Sequence, residues 1–287
     1  MTSERLLRIA VPNKGALAEP AAAMLRAAGY RQRTDSKDLT LIDNDHSVEF
    51  YYLRPRDIAV YIGRGHLDLG ITGRDMLLDS EADATEIMQL GFGGSRFRFA
   101  ARGGSGMSVA DLNGKRIATS YPGLLQTYLN EQGVSAELVK LDGAVESAIR
   151  LGVADVVADV VDTGTTLRRA GLELFGDAIC SSEAVLIQRN GGSDLPPQAE
   201  ALRTRLTSVL VAQNYLMMDY NVEQVNLDTT TALAPGVEGP TVSNLAKTGW
   251  CAVRVLVPRT GAHLLMDQLY AAGARGILLT ELAACRL

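Results

Sequence analysis

Apolar positions along this chain fall into short runs separated by stretches of helical spacing. Arg5–Pro12, RLLRIAVP, is apolar enough to be a buried strand. NKGALAEPAAAMLRAAGY follows it, with Gly15 at the turn and Gly29 placed to cap a helix at its C-terminal end. EFYYLRPRDIAVYIGRG comes next, then HLDLGITGRD, a short buried strand that ends in a glycine turn. Strand-then-helix alternation predicts an α/β domain with a mainly parallel sheet.

A crossover follows in FRFAARGGSGMSVADLNGKRIATSYP. Its second part predicts a short helix, a tight turn at Asn113-Gly114 and a strand, RIATS. LLQTYLNEQGV reads as a helix capped by Gly133, and VESAIRLGVADVVADVV as helix, turn and strand. A strand over Cys180–Arg189 is expected to return to the first lobe. GHLDLGITG and GVADVVADV both read Gly-x-x-Asp followed by apolar or small residues. That echo suits two similar lobes, each ending a strand at a shared cleft, although chance produces such strings as readily. NGGSDLPPQ, rich in Gly and Pro, is the clearest linker. Beyond it AEALRTRLTSVLVAQN is helical, and from Tyr215 the order is β-α-β-β-α-β, the ferredoxin-like arrangement. The expected organisation is lobe I over 1–95 and 180–190, lobe II over 96–179, a linker over 191–198, and an α+β domain over 199–287.

Composition narrows the partners. Of 287 residues, 47% are hydrophobic and 21% charged, with a formal net charge of -5. Such a chain is not built to neutralise a phosphate backbone, which argues against nucleic acid but leaves small phosphorylated ligands open. Cys180, Cys251 and Cys285 are dispersed, as are His46, His66 and His263, so neither a disulfide framework nor a zinc site is indicated. The first residues lack the apolar run of a signal peptide, and no stretch approaches the ~18 apolar residues of a membrane span. A cytoplasmic protein without membrane contact is expected.

DVVDTGTTL, Asp159 to Leu167, carries the most chemistry. Amides at a helix start point outward with partial positive charge, a glycine admits an anion closely, and threonine hydroxyls add donors. If a helix begins at Leu167, Thr163, Gly164, Thr165 and Thr166 make a phosphate cradle. The loop lacks the Gly-Lys-Ser/Thr of a Walker A motif and the G-x-G-x-x-G of a dinucleotide fold. Asp159 and Asp162 would repel phosphate, so they are expected to face hydroxyls, such as those of a ribose on the same ligand. The plainer alternative is a helix N-capped by Thr163 or Thr165, with the acids favouring its dipole.

The stretch does not stand alone. AVPNKGAL, LRPRDI, DLGITGRD, KRIATSYP and ADVVDTGTTL occur in this order, followed by LAPGVEGPTVSNLA. The set resembles the ATP phosphoribosyltransferases of histidine biosynthesis, in their long, histidine-regulated form, over essentially the whole chain. The resemblance implies that ATP and 5-phosphoribosyl 1-pyrophosphate give N1-(5-phosphoribosyl)-ATP and pyrophosphate. It implies a catalytic part with two lobes like those of periplasmic binding proteins, and a C-terminal regulatory domain inhibited by histidine. Mg2+ and dimers in equilibrium with hexamers are implied as well.

Carried over residue by residue, the resemblance places the donor's 5-phosphate on Thr163 to Thr166 and its ribose hydroxyls on Asp159, with Asp162 in the same loop. It places Lys14 and Arg54 on the nucleotide and pyrophosphate side as charge stabilisers, and Asp75 and Tyr121 near the adenine and its ribose. Asn221, Val237, Thr241 and Gly276 would line the histidine site, Asn221 at a place where some relatives carry Asp. Each residue also has a plainer role: solvated charge for Lys14 and Arg54, a helix cap for Asp75, a packing ring for Tyr121, an oligomerisation module for the last domain. A two-lobed anion sensor without chemistry stays open as a rival. So does a porphobilinogen deaminase-like enzyme, which would need a reactive cysteine; Cys251 lies in a predicted strand.

Overall fold

β1 (Leu7–Pro12) forms the centre of the first sheet, buried along almost its whole length. A computed structural model of the chain describes residues 5–161, 164–192 and 195–287. α1 (Ala18–Ala27), β2 (Thr40–Asp43), β3 (Val48–Leu53), α2 (Pro55–Gly63), β4 (Leu69–Gly73), α3 (Arg74–Ser80) and β5 (Ala84–Gln89) follow. β1 runs parallel to β3 on one side and to β4 on the other. Gly15 and Gly29 both adopt positive φ, +79° and +87°, as expected at the two ends of the α1 segment. β4, LGITG, is buried at every position. Its Gly70 lets α2 settle onto the sheet, because a Cβ there would lie 2.5 Å from Ile58 Cγ2. Ile58, Ala59, Ile62, Leu67 and Leu77 close the core over that face.

The second sheet holds β6 (Ser95–Arg102), β7 (Arg116–Thr119), β8 (Glu137–Lys140), β9 (Val156–Val161) and β10 (Leu172–Ser182). α4 (Pro122–Glu131), α5 (Ser147–Arg150) and α6 (Thr165–Arg169) connect them. β7 runs parallel to β8 and β9. One core packs Phe97, Phe99, Tyr121, Leu125 and Val156. Another packs Ala100, Val157, Val161 and Leu167. β11 (Ala184–Arg189) then re-enters the first sheet between β4 and β5, antiparallel to both. The lobes are therefore joined by two crossing segments, which hydrogen-bond to each other through Leu90 N to Ala184 O at 3.0 Å and Ala184 N to Phe92 O at 2.9 Å.

The single strand expected over Cys180–Arg189 is in fact two. Cys180–Ser182 end β10 and pair with β6 in the second lobe, and only Ala184–Arg189 returns to the first. The chain switches sheets at Glu183, within the polar Ser181-Ser182-Glu183 stretch that parts the two strands.

The chain divides into two compact units, one holding both lobes and one chiefly Ala201–Leu287. α7 (Pro197–Asn214) precedes β12 (Tyr215–Glu223), α8 (Leu227–Leu233), β13 (Thr241–Asn244), β14 (Trp250–Pro258), α9 (Ala262–Ala271) and β15 (Arg275–Glu281). The sheet order is β13-β14-β12-β15, all antiparallel, which is the ferredoxin-like topology. Leu216, Met218, Tyr220 and Val222 alternate along β12 to one face and pack with Val253, Val255, Ala262 and Leu269. Among the described residues no helix is long and apolar enough to cross a membrane.

One buried charge anchors the connection after α1. Asp43 has no exposed surface. Its Oδ2 accepts from the Arg31 amide at 3.0 Å and lies 2.9 Å from His46 Nδ1. Burial works against the charged carboxylate, but the Arg31 amide and His46 outweigh it and hold its pKa below the usual range. A depressed carboxylate stabilises the fold above its unfolded pKa of about 3.9 and loses that contribution as pH falls through the folded value. Asp43→Ala should therefore cost roughly 2–3 kcal/mol near neutral pH. Urea unfolding of both proteins at pH 7 and near pH 3 should show the gap narrowing in acid; an equal gap at both pH values would refute the assignment.

Candidate active site

Three parallel strands of the first lobe end at one edge of their sheet. β1 delivers Asn13 and Lys14, β3 delivers Arg54, and β4 delivers Gly73 and Asp75. Carboxyl ends of parallel strands are where α/β folds leave room for ligands. Arg54 is the N-cap of α2, with Pro55 at its first position, so the strand turns sharply into the helix. Lys14 and Arg54 are both exposed.

Asp75, by contrast, is 4% exposed. Its amide donates to Ser182 Oγ at 3.0 Å, and that hydroxyl donates back to Asp75 Oδ1 at 2.9 Å. The Met76 amide donates to the same oxygen at 2.9 Å. Part of the carboxylate therefore serves the first turn of α3, although the N-cap is Gly73 and not, as the plainer alternative had it, Asp75. Gly73 makes this fold-back possible, since a Cβ there would lie 2.3 Å from Asp75 Oδ1.

In the second lobe β7 delivers Tyr121, β8 leads into the 141–146 turn, and β9 leads into the loop before α6. Tyr121 is 7% exposed and precedes α4 as its N-cap. Its ring packs edge-on to Phe97 at 5.5 Å, and the Arg56 guanidinium lies over it at 4.2 Å. Burial, with the Asp75 and Asp159 carboxylates nearby, pushes the phenol pKa far up against the opposing pull of Arg56. Tyr121 is thus a neutral donor at physiological pH.

Asp159 shows the same pressure. Burial, then the charge of Glu146, raises its pKa, while the Val160 amide and Arg56 work the other way. Arg98 stands opposite Asp159 in the β6–β9 ladder, yet its Nη2 donates instead to Gly176 O at 2.6 Å. The acids at this edge are left under-neutralised, which suits a ligand that brings hydroxyls or a cation.

α6 begins at Thr165, two residues before the Leu167 start that the sequence predicts. Its N-cap is Gly164 at φ +70°. A glycine has no side chain to cap with, so Thr165 is not the cap of the plainer alternative. Leu167 is buried and anchors the helix, and Thr166 lies in its first turn. Asp162 and Thr163 lie outside the described residues.

Lys14, Gly15, Pro55, Asp75, Met76, Tyr121, Val160 and Ser182 line one cavity of about 350 Å³ between the lobes. Lys14, Asp75 and Tyr121 therefore converge, with Asp159 one residue from the wall. Arg54 and Gly164 to Thr166 stand at the same strand ends without lining that space. Arg56 and Glu146 belong to the neighbourhood although the sequence reading passes over them. Arg56 lies in the quoted LRPRDI, two residues from Arg54, and Glu146 follows a four-residue strand without a clear apolar signal.

In the C-terminal unit Asn221 pairs with Arg275 across the β12–β15 ladder. A Cβ on Gly276 would lie 3.4 Å from Asn221 Nδ2, so these two predicted residues meet. Thr241 faces Arg254 on the same open side of the sheet, one strand beyond β14, and Arg254 pairs with Asp219 at 2.8 Å. Val237 is 44% exposed in the turn before β13.

Residues 54–208 match the family described as ATP phosphoribosyltransferase, and residues 212–284 match that described as HisG, C-terminal domain. The ATP phosphoribosyltransferases of Pseudarthrobacter chlorophenolicus and Salinispora tropica are 55% and 57% identical to this chain, each over 98% of it and 100% of the relative. Among solved structures, the ATP phosphoribosyl transferase (HisG:HisZ) complex from Thermotoga maritima aligns with a TM-score of 0.60 at 26% identity, over 70% of this chain and 99% of that one. On the strength of both family matches and of likeness running from end to end, the chain belongs to the ATP phosphoribosyltransferase family, in the long form that carries the C-terminal domain.

Proposed function

We propose that ATP and 5-phosphoribosyl 1-pyrophosphate meet in the cavity between the lobes, and that residues from both strand edges divide the work. The family's reaction, the first of histidine biosynthesis, joins adenine N1 to the anomeric carbon of the donor as pyrophosphate leaves. The observation that carries the reading is the convergence of Lys14, Asp75 and Tyr121 on one cavity bounded by both lobes.

A neutral ring nitrogen attacking an oxocarbenium-like centre needs no covalent enzyme nucleophile. The protein must align two substrates and stabilise departing charge. Lys14 and Arg54 supply that charge from the ends of β1 and β3. Asp75 and the neutral Tyr121 phenol serve the adenine and ribose of ATP. Asp162, Thr163, Gly164, Thr165 and Thr166 receive the donor's 5-phosphate end, and Asp159 its ribose hydroxyls. Burial of Asp159 beside Glu146 supports this, because hydroxyl donors relieve a carboxylate that water reaches poorly.

Mg2+ fits the donor set without a cage. Among the described residues no three His, Cys, Asp or Glu side chains gather to hold a metal. A hard cation that keeps several waters and binds pyrophosphate oxygens needs only one or two carboxylates, and Asp159 and Glu146 are the ones that would take it. When bound, it neutralises charge on the leaving pyrophosphate.

Histidine inhibition is assigned to Asn221, Val237, Thr241 and Gly276, at a site between subunits of a dimer-hexamer system. The adjacency of Asn221 and Gly276, with Asn221 on the face of β12 turned away from the core, supports this. Asn221 offers a neutral acceptor, and the nearby Asp219 is already paired with Arg254.

Pyrophosphate release should require ATP, the phosphoribosyl donor and Mg2+ together; binding of the donor without turnover would favour the sensor instead. Asp159→Ala should lower kcat/KM for the donor by about 100-fold or more, with ATP binding by calorimetry preserved, and near-normal donor kinetics would remove Asp159 from the site. Thr241→Ala should raise the histidine concentration for half-inhibition by about tenfold with kcat unchanged. An unmoved histidine titration would place the regulator elsewhere.

A further inference from the structure

Beside the cavity, one carboxylate of the first lobe holds the start of a helix in the second. Asp79, near the end of α3, has a side chain only 12% exposed. Its Oδ1 accepts from the amides of Gly123 at 2.9 Å and Leu124 at 3.2 Å, in the first turn of α4. Its Oδ2 accepts from Arg56 Nη1 at 3.1 Å. Arg56 in turn lies over the Tyr121 ring, and Tyr121 is the residue from which α4 springs. The contacts close a ring: Asp79, the first turn of α4, Tyr121, Arg56 and back to Asp79.

Backbone shape agrees with this ring. A Cβ at position 123 would lie 2.4 Å from the Asp79 carbonyl oxygen. The elements approach this closely only because Gly123 has no side chain. A negative group on a helix N-terminus, hydrogen-bonded to its amides, is favourable both as charge and as acceptor. The covalent links between the lobes are the two hinge segments alone, so elsewhere their separation rests on contacts of this kind.

We propose that Asp79 is a positioning residue: by tying the first turn of α4 to Arg56, it sets Tyr121 of the second lobe against Asp75 of the first and so fixes the nucleotide side of the cavity. The inference rests on the assignment of Tyr121 to the ATP site. Asp79 does not line the cavity and acts through Tyr121 and Arg56. A residue serving stability alone would lower the unfolding temperature and leave the substrate constants in place. A positioning residue moves the constant of one substrate.

The test uses the full chain, with Asp79→Ala, Asp79→Asn and Gly123→Ala measured beside Tyr121→Leu. Asp79→Ala should raise KM for ATP about tenfold, with KM for the phosphoribosyl donor and kcat within about threefold. Asp79→Asn, which keeps an acceptor but loses the charge toward Arg56, should fall between it and the parent. Gly123→Ala should also raise KM for ATP, by forcing the elements apart with every polar group retained. Hydrogen exchange in the peptide spanning 122–126 should quicken about tenfold or more in Asp79→Ala, and this arm does not depend on activity. Unchanged exchange would mean that Asp79 does not hold α4 and would overturn the proposal. Faster exchange with an unmoved KM for ATP in the Asp79 and Gly123 variants would overturn it as well. Tyr121→Leu separates the causes: if it raises KM for ATP, the site reading stands while Asp79 fails, and if it does not, that reading has failed first. Should Asp79→Ala not fold, Asp79→Asn and Gly123→Ala carry the same comparison.

Discussion

The parallel ladder of β3, β1 and β4 is the constraint on which the rest depends. Its register puts Leu53, Pro12 and Gly73 at one edge, so the residues that follow must emerge side by side. The second lobe repeats the device with β8, β7 and β9. Two edges set across one cleft bring a lysine, an aspartate and a tyrosine from distant parts of the chain onto a single cavity. Glycine at Gly70 and Gly73 is part of that constraint, because a side chain at either would collide with Ile58 or with the Asp75 carboxylate. The geometry is a matter of backbone approach before it is one of chemistry.

Electrostatics then gives the cleft its sense. Asp75 and Asp159 gather near Tyr121, with Glu146 close enough to act on Asp159, and burial pushes both the Tyr121 phenol and the Asp159 carboxyl toward their neutral forms. Nearby cations do not cancel this. Arg98 is turned to Gly176, and Arg74 is held by Glu86 and Glu183, which raise its pKa further. Arg56 is the cation whose charge reaches both Tyr121 and Asp159. A ligand bringing hydroxyl donors at one end and phosphoryl groups at the other meets both needs. On the proposed assignment the acids take the hydroxyls, while Lys14 and the helix start beyond Gly164 take the anion.

Much of this architecture was legible in the order of elements. RLLRIAVP and LGITG are buried on both faces and announce a parallel sheet, and the alternation along YLMMDYNV announces a one-sided antiparallel one. Short strands with polar faces were not legible. β2 and β8 have four residues each and bury little, so their place comes from pairing and not from their own pattern. The switch at Glu183 was marked only by the polar Ser181-Ser182-Glu183 stretch, which is too short for its pattern alone to tell two strands from one. Of the candidate site, Lys14, Asp75 and Tyr121 were named through the family resemblance, and Gly164 from the loop after an apolar run. Arg56, Asp79 and Glu146 were not, because each acquires its neighbour across a lobe boundary or from a turn whose direction no local pattern encodes.

The C-terminal sheet follows from the same economy of faces. Strict alternation sends Leu216, Met218, Tyr220 and Val222 under the helices, which obliges Met217, Asp219 and Asn221 to the other side. Leu278 on β15 shares that side and is 62% exposed, next to polar groups that neither helix covers. The Asp219–Arg254 pair lies on this face, and Asn221 and Gly276 set an uncharged acceptor beside bare backbone. On the proposed assignment, an acceptor without charge at Asn221 leaves recognition of the histidine ammonium to backbone geometry and to the surface brought against this face.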